Sequence, residues 1–240
     1  MILQLDGKGG GVGKTTIAAA FAEALAARKL GFTVIECDAS NNVASYCKGI
    51  PNVKIEKIAL LRKDGYLDLA SALASKDIGE HVLVSVPGGA DTAGNAAVLI
   101  DALNQAKRPM AICWMLNRAP EQVATLRRML DVFAKSPIKL AAVRNLVFGE
   151  PDKFTRWNEG EARPAFLKAF PGMEFDFPEL SDKVVDATIG AVPTKVRFSD
   201  AGEKLAESGY RWAAARWLEQ TAALYAAIEA KVAGPIAVEA

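Results

Sequence analysis

The chain has 240 residues, of which 51% are hydrophobic and 24% are charged, and its formal net charge is +1. This length and composition fit one sizeable α/β domain over residues 1–240 better than two small ones. The small net charge excludes a global electrostatic attraction to nucleic acid or to an anionic membrane. No apolar run reaches the roughly 18 residues that a membrane span needs, and the N-terminus does not resemble a signal peptide. We therefore expect a cytoplasmic protein that does not act in a membrane.

Apolar runs alternate with helical patterns along most of the chain, which predicts an α/β fold with a mostly parallel central sheet and helices on both faces. The predicted strands are 2–5, 32–37, 53–60, 81–86, 110–116, 140–148 and 173–177. The predicted helices are 14–30, which stops at Gly31, then 67–75, 92–105 and one that begins at Pro120.

The last third of the chain has a looser pattern. Segment 151–170 mixes charges with aromatic residues, which predicts a helical insertion at the surface. A helical tail is predicted over 200–232, with a break at Gly209. Its second half has one apolar face, for which we expect packing against the sheet rather than against a membrane, because the opposite face has no row of basic residues. That face consists of Trp217, Thr221, Leu224, Tyr225, Ile228 and Val232.

The cysteines and the single histidine offer little chemistry. Cys37, Cys47 and Cys113 show no CxxC spacing, so we expect reduced, mostly buried thiols and assign them no metal. His81 begins a predicted strand, and we expect a structural role for it.

Residues 3–16, LQLDGKGGGVGKTT, combine a short strand, a glycine-rich loop and the start of a helix, which predicts a phosphate-binding loop. Lys14 can reach the β and γ phosphates of a nucleotide, and Thr15 can hold Mg²⁺. This favours a nucleoside triphosphate site over a merely flexible turn. The predicted nucleotide-binding residues here are Gly9, Gly10, Gly11, Val12, Gly13, Lys14, Thr15 and Thr16. Counted back from Gly13, the slot of the first glycine in GxxxxGKT holds Lys8.

The string GKGGGVGKTT resembles the deviant Walker A loop of the ParA/MinD family of P-loop ATPases, usually spelled KGGVGKTT. The resemblance implies a P-loop NTPase (deviant Walker A) architecture, ATP and Mg²⁺ as ligands, and an ATP-bound homodimer. In that dimer a signature lysine reaches the nucleotide of the other subunit. Strict alignment puts Gly9 in the signature slot because of one extra glycine, and we carry the role to Lys8. The alternative is a solvated loop lysine.

Residues 36–42, ECDASNN, resemble the family's DxDPQGN segment. The match places Asp38 on the aspartate that positions the attacking water near the metal. The carboxyl end of a strand beside the loop strand is also where α/β sheets bind ligands. The alternative is that Asp38 caps a short helix that follows.

Residues 81–89, HVLVSVPGG, resemble the family's Walker B segment, with Ser85 in the place of its metal-site aspartate. A neutral hydroxyl there implies weaker metal binding or slower hydrolysis, unless Asp38 or Asp91 compensates. Gly88 and Gly89 fit a switch loop that senses the γ-phosphate.

Two later segments resemble parts of the family's adenine site. Val143-Arg144-Asn145 matches the asparagine that reads the base, although an asparagine at a strand end is also an ordinary turn residue. Residues 177–180, FPEL, match the loop that closes over the base, with Pro178 as its proline.

These features together predict a slow ATPase that dimerises around nucleotide and acts as a switch for an unidentified partner protein. The expected chemistry is in-line attack of water on the γ-phosphate, with Lys14, Asp38 and Lys8 as catalytic residues and Thr15, Asp38 and Ser85 around the metal. Segments 58–73 and 81–94 look like those of plasmid-stability and conjugation-associated members, which implies a role in DNA partition, plasmid stability or conjugative transfer.

Two other functions stay open. Ser85 favours an ATP-binding scaffold or localisation factor with little hydrolysis. A metabolic enzyme such as a biotin-pathway ligase would need an acid/base constellation, and the sequence offers none. Nonspecific DNA binding has weak support, because the candidate basic residues are sparse and a solvated surface is their default role. Those residues are Arg127, Arg128, Lys195, Arg197, Arg211 and Arg216.

Overall fold

A computed structural model of the protein describes residues 1–40, 42–190, 196–201, 205 and 207–233. Seven strands form one sheet in the order β3-β2-β4-β1-β5-β6-β7, and all its described pairings are parallel. The expected α/β class is therefore confirmed. The strands are β1 Ile2–Asp6, β2 Phe32–Glu36, β3 Val53–Lys57, β4 His81–Ser85, β5 Met110–Leu116, β6 Lys139–Asn145 and β7 Glu174–Phe177.

Helices cover both faces of the sheet. They are α1 Lys14–Ala27, α2 Asn42–Cys47, α3 Gly65–Ala74, α4 Ala96–Ala106, α5 Pro120–Phe133, α6 Thr155–Asn158, α7 Ala162–Ala169, α8 Asp182–Ala187 and α9 Ser208–Val232. Right-handed crossovers place α1 and α2 on one face and α3, α4 and α5 on the other. The packing agrees, since α1 contacts α2 and α9 whereas α3 contacts α4.

Strand β1 lies at the point where the strand order reverses. Its two neighbours are β4 and β5, and the chain leaves it through α1 toward β2 on one side of the sheet. Such a switch point opens a crevice at the carboxyl ends of the strands, where α/β proteins bind ligands. The glycine-rich loop 7–13 therefore lies at the position in the sheet best suited to a ligand.

Side chains and backbone turns shift several predicted boundaries. Helix α1 ends at Ala27 rather than 30, because Lys29 takes the left-handed conformation (φ 57°) and the Leu30 amide donates to the carbonyl of Leu25 at 3.1 Å. Strand β6 ends at Asn145 rather than 148, because the Asn145 side chain accepts the amide of Val147 and starts a 3₁₀ turn. Helix α4 begins at Ala96 rather than 92, because residues 92–95 form a turn in which Asp91 accepts the amides of Gly94 and Asn95.

Segment 151–170 contains α6 and α7, and its aromatic residues are buried together. The rings of Trp157 and Phe166 meet edge to face with centroids 5.5 Å apart, and both helices contact α5. The long tail helix begins at Ser208, so Gly209 lies in its first turn rather than at an internal break; residues 202–204 and 206 of the predicted tail lie outside the described part.

The six residues predicted to form one face of the tail helix are all buried, and the helix as a whole packs more on α1 than on the sheet. Trp217 is the residue that meets a strand, since its ring lies 5.5 Å from that of Phe177 in β7. Helix α1 already covers the sheet there, and its run of alanines lets α9 approach closely. The contact includes an edge-to-face pair between Phe21 and Tyr225, with centroids 5.3 Å apart.

The three cysteines are free and buried, as expected, and burial raises the pKa of each thiol to about 12. His81 lies at the amino end of β4, away from the loop, with its Nδ1 3.2 Å from the Tyr225 hydroxyl. Burial lowers its pKa. Among the described residues, none of the helices combines the length and the apolar character needed to cross a bilayer.

Candidate nucleotide-binding site

The loop between β1 and α1 is built on glycines that other residues cannot easily replace. Gly9, Gly11 and Gly13 have φ angles of 79°, 73° and 99°, in the left-handed region that favours glycine. A side chain on Gly13 would also overlap the Asn145 amide, whereas the Cα hydrogens of Gly9 and Gly11 face open space. The result is a concave loop with one open side, the arrangement in which backbone amides can surround an anion.

Lys14, the first residue of α1, lies across this loop. It is only 8% exposed, and its Nζ donates to the carbonyls of Gly9 at 2.7 Å and Gly7 at 3.2 Å. Burial lowers the pKa of Lys14, and the neighbouring carboxylates of Asp6 and Asp38 act in the opposite direction. A phosphate group in the loop would offer this ammonium stronger, charged acceptors than two carbonyl oxygens.

A buried carboxylate that sequence reasoning missed supports the start of the loop. Asp6 ends β1 and accepts hydrogen bonds from the Thr92 hydroxyl at 2.6 Å, the Gly7 amide at 2.7 Å and the Gln4 side chain at 3.1 Å. Burial raises the pKa of Asp6, although these hydrogen bonds and Lys14 lower it in part. Its only sequence signal was an aspartate that ends an apolar strand directly before the glycines.

The loop after β4 contacts the glycine-rich loop through the backbone. The amide of Gly9 donates to the carbonyl of Gly88 at 3.0 Å. A Cβ on Gly88 would overlap the backbone of Gly9, so only glycine permits this approach. The segment predicted to act as a switch loop therefore touches the predicted phosphate loop directly.

Ser85, Asp38 and Glu36 lie at the carboxyl ends of β4 and β2. Ser85 is buried and pairs in register with Leu5 of β1 and with Glu36 of β2. Asp38 is half-buried, and its Oδ1 accepts the amide of Ser40 at 2.9 Å. Among the described residues, the carboxylate that accepts amides from the first turn of α2 is that of Glu36, which receives them from Val43 and Ala44.

Lys8 has an exposed side chain and a tightly held backbone. Its amide donates to Oε1 of Gln122 at 3.0 Å, and its carbonyl accepts from Nε2 of the same residue at 2.6 Å. Gln122 is fully buried in the first turn of α5. Sequence reasoning did not find Gln122. An exposed Lys8 side chain is compatible with both a trans role and a solvated one.

Asn145 and Pro178, the residues predicted to contact adenine, line one cavity beside the glycine-rich loop. A small cavity of about 190 Å³ is lined by Gly13, Thr16, Asn145, Pro178 and Trp217, among others. Asn145 is buried, and its Nδ2 donates to the carbonyl of Val12 at 3.0 Å, so its amide holds the phosphate loop as well as facing this cavity.

A larger cavity, about 770 Å³, opens beside Asp38 and Pro87 and is walled by segment 57–62. Strands β2, β3 and β4 end at this larger cavity, and strands β6 and β7 end at the smaller one. These two groups of strands lie on opposite sides of β1 in the sheet. The glycine-rich loop is thus flanked by one cavity on each side.

The oxygen donors at these strand ends suit Mg²⁺. They are the Ser85 hydroxyl and the carboxylates of Asp38 and Glu36, and the first turn of α1 adds the Thr15 hydroxyl; all are hard ligands. Across the described ranges, no three acidic, histidine or cysteine residues group closely enough to hold a metal ion alone.

Most of the basic residues considered for DNA binding are engaged elsewhere. Arg197 pairs with Glu23 at 3.2 Å, and Arg216 lies over the Trp212 ring at 5.3 Å. Arg127 lies 3.6 Å from Asp131, and Arg128 lies 3.6 Å from Asp91. Asp91 is thus in a surface ion pair, and Lys195 lies outside the described residues.

Similarity to known proteins agrees with this geometry. Residues 5–210 match the profile of the CobQ/CobB/MinD/ParA nucleotide binding domain. The chain is 29% identical over 189 residues to protein MobD of Acidithiobacillus ferrooxidans, which covers 77% of this chain and 80% of that protein.

Among solved structures, the septum site-determining protein MinD of Pyrococcus horikoshii, complexed with Mg-ADP, has a TM-score of 0.53 at 16% identity, over 96% of this chain and 99% of that one. A ParA family ATPase from Chlorobium tepidum has a TM-score of 0.52 at 10% identity, over 91% and 97%. At these identities the structures support the fold alone. Because the family profile spans most of the sequence, the chain belongs to the CobQ/CobB/MinD/ParA nucleotide-binding domain family, whose ParA and MinD members are P-loop ATPases.

Proposed function

We propose that this chain binds ATP with Mg²⁺ at the loop 7–16, hydrolyses it slowly, and uses nucleotide occupancy to control its own dimerisation and the engagement of a partner protein. The resemblance of segments 58–73 and 81–94 to plasmid-stability and conjugation-associated proteins supports a role in DNA partition, plasmid stability or conjugative transfer.

The hydrogen bond between the Gly9 amide and the Gly88 carbonyl carries this proposal. An amide that donates to Gly88 cannot at the same time donate fully to a phosphate oxygen, so the two acceptors compete for it. Binding of the triphosphate therefore releases or shifts segment 87–89, and loss of the γ-phosphate lets the contact form again. The position of segment 87–89 would then depend on whether the γ-phosphate is present, as in a nucleotide-controlled switch.

The reaction is in-line attack of water on the γ-phosphate. Lys14 moves its ammonium from the loop carbonyls to the phosphates and offsets the charge that develops there, and Asp38 orients the water. Thr15 and Ser85 would hold Mg²⁺ and its waters, and the ion supplies neutralisation of the β and γ phosphate oxygens. Lys8 of the second subunit adds a further positive charge.

Calorimetric titration with Mg-ATP tests the site. Lys14→Ala should abolish measurable binding, because it removes the buried ammonium that lies across the loop, whereas the side chain of Lys8 in the same loop is exposed. Lys135→Ala, which removes an exposed lysine at the end of α5, is the matched control and should bind as the unmodified chain does. Retained affinity in Lys14→Ala would count against the site.

Phosphate release tests the dimer. If Lys8 acts from the other subunit, the specific activity rises with protein concentration, and Lys8→Ala lowers it at every concentration. A specific activity that does not change with concentration would reject the trans role of Lys8.

A scaffold with little hydrolysis is the second candidate, and Ser85 is the observation that favours it. A side chain without charge at the end of β4 gives weaker support to the metal than an aspartate would. Phosphate release from the unmodified chain and from Ser85→Asp separates the two functions. A clear gain in the variant favours the scaffold, and comparable turnover in both favours the ATPase.

A further inference from the structure

The serine at position 85 leaves the end of β4 without a carboxylate, but the neighbouring strand supplies one. Glu36 of β2 is the register partner of Ser85, and paired residues of parallel strands point to the same face of the sheet. A hydrogen bond from the Ser85 hydroxyl also lowers the pKa of the Glu36 carboxyl, which burial raises. Ser85 therefore lies one strand from β1 and Glu36 lies two strands from it, on the same face of the sheet. The loop that follows β1 leads to Lys14 and Thr15.

The two oxygens of Glu36 have different surroundings. Oε2 accepts the amides of Val43 at 2.8 Å and Ala44 at 3.0 Å, which fixes the carboxylate to the start of α2. Among the described residues, one backbone amide donates to Oε1, that of Asp38, at the longer distance of 3.3 Å. A carboxylate can accept about four hydrogen bonds, two at each oxygen, and the Ser85 hydroxyl is one of those at Glu36. Because a serine hydroxyl can rotate to another acceptor, a water molecule can take its place at Oε1.

Two other carboxylates near these strand ends, Asp6 and Asp91, are less suitable. Gln4 and Asp6 point to one face of the sheet, where Asp6 accepts a hydrogen bond from Thr92. Leu5 and its register partner Ser85 point to the other face. Asp91 is in an exposed ion pair with Arg128. Glu36 is only 2% exposed, and its position is fixed by several amides.

We propose that Glu36 replaces the carboxylate missing at position 85 and accepts hydrogen bonds from water ligands of the Mg²⁺ that accompanies ATP. The inference rests on the proposed function, since it needs a Mg-ATP site at the loop. Glu36 acts as a positioning residue: it orients the metal's waters while its other oxygen holds α2, so metal occupancy and the position of α2 depend on the same side chain.

The test is the gain in ATP affinity that Mg²⁺ provides, measured by titration of a fluorescent ATP analogue with Mg²⁺ and with EDTA. In Glu36→Gln this gain should fall by roughly 10- to 100-fold, the usual effect of removing a residue that holds a metal's ligands. Affinity in EDTA should stay unchanged. Glu56→Gln, on the adjacent strand β3 and paired with Lys54 at 3.2 Å, is the matched control and should keep the full gain.

Rescue separates this role from simple capping of α2. In the double variant Glu36→Gln/Ser85→Asp the gain should return, because the aspartate restores a carboxylate at the same place. If Glu36 only capped α2, Glu36→Gln would weaken ATP binding equally with and without Mg²⁺, and adding Ser85→Asp would not restore it. That result would overturn the inference. An unchanged Mg²⁺-dependent gain in Glu36→Gln would overturn it as well.

The single variant Ser85→Asp gives a measurement that does not depend on the folding of Glu36→Gln. With Glu36 already present, the gain should rise no more than about twofold, because two groups that share one task are not additive. A tenfold rise would overturn the inference and leave the ATP site intact. An unmodified chain that binds no ATP would overturn the proposed function itself.

Discussion

Replacement of Gly88 by alanine tests the contact between the two loops. The added Cβ would overlap the Gly9 backbone, which cannot turn aside as a flexible side chain could. The loop after β4 must then move and lose the 3.0 Å hydrogen bond. We expect a loss of about 1 kcal/mol for this bond and about 1–3 kcal/mol for the overpacking, or about 2–4 kcal/mol of unfolding free energy in total.

Gly89→Ala is the matched control, since the atom nearest to its added Cβ is Cδ1 of Leu61 at 4.0 Å, an ordinary contact. Urea unfolding of both variants measures the difference in stability, and titration with ATP and ADP measures whether the protein still distinguishes the two nucleotides. Gly88→Ala should lose stability and most of the ATP/ADP distinction, and Gly89→Ala should lose neither. Equal behaviour of the two variants would refute the role of the contact.

Two further predictions concern the supports of the loop. Gln122→Ala removes both hydrogen bonds to the Lys8 backbone and should lower the unfolding free energy by about 2–3 kcal/mol. The control Gln105→Ala changes an exposed residue and should lower it by under about 0.5 kcal/mol. Equal losses in the two variants would contradict this prediction. Because burial raises the folded pKa of Asp6 above its usual 3.8, the stability its protonated form contributes is lost as the pH rises through that pKa. The difference in unfolding free energy between Asp6→Asn and the unmodified chain should therefore shift in favour of the variant between pH 4 and pH 7. A difference that does not change with pH would contradict this prediction.

The sequence predicted the inner strands well because they are short, largely apolar runs in a sheet covered on both faces. The edge strand β3 is partly exposed and charged, and it ends at Lys57 rather than at 60. Strand β5, Met110–Leu116, is buried at every position, so its pattern left little doubt. The ends of elements were harder, since they depend on single side chains. The turn after Asn145 and the left-handed Lys29 follow from local contacts that periodicity does not encode.

The glycine-rich loop was legible in the sequence because its chemistry lies in consecutive residues. Its supports were not, since they come from distant parts of the chain: Thr92 reaches Asp6 across 86 positions, and Gln122 reaches Lys8 across 114. The contact of Glu36 with the start of α2 was missed for a related reason. Glu36 lies seven positions before Val43, too far for a capping rule that considers the residue next to the helix.

Sedimentation velocity tests the central claim, a dimer controlled by nucleotide, most directly. With ADP and Mg²⁺ the chain should sediment as a monomer of 25.5 kDa. With ATP and Mg²⁺ it should sediment at twice that mass, and Lys14→Ala should remain monomeric under both conditions. The same mass with ATP and with ADP, in a chain shown to bind both, would contradict the account.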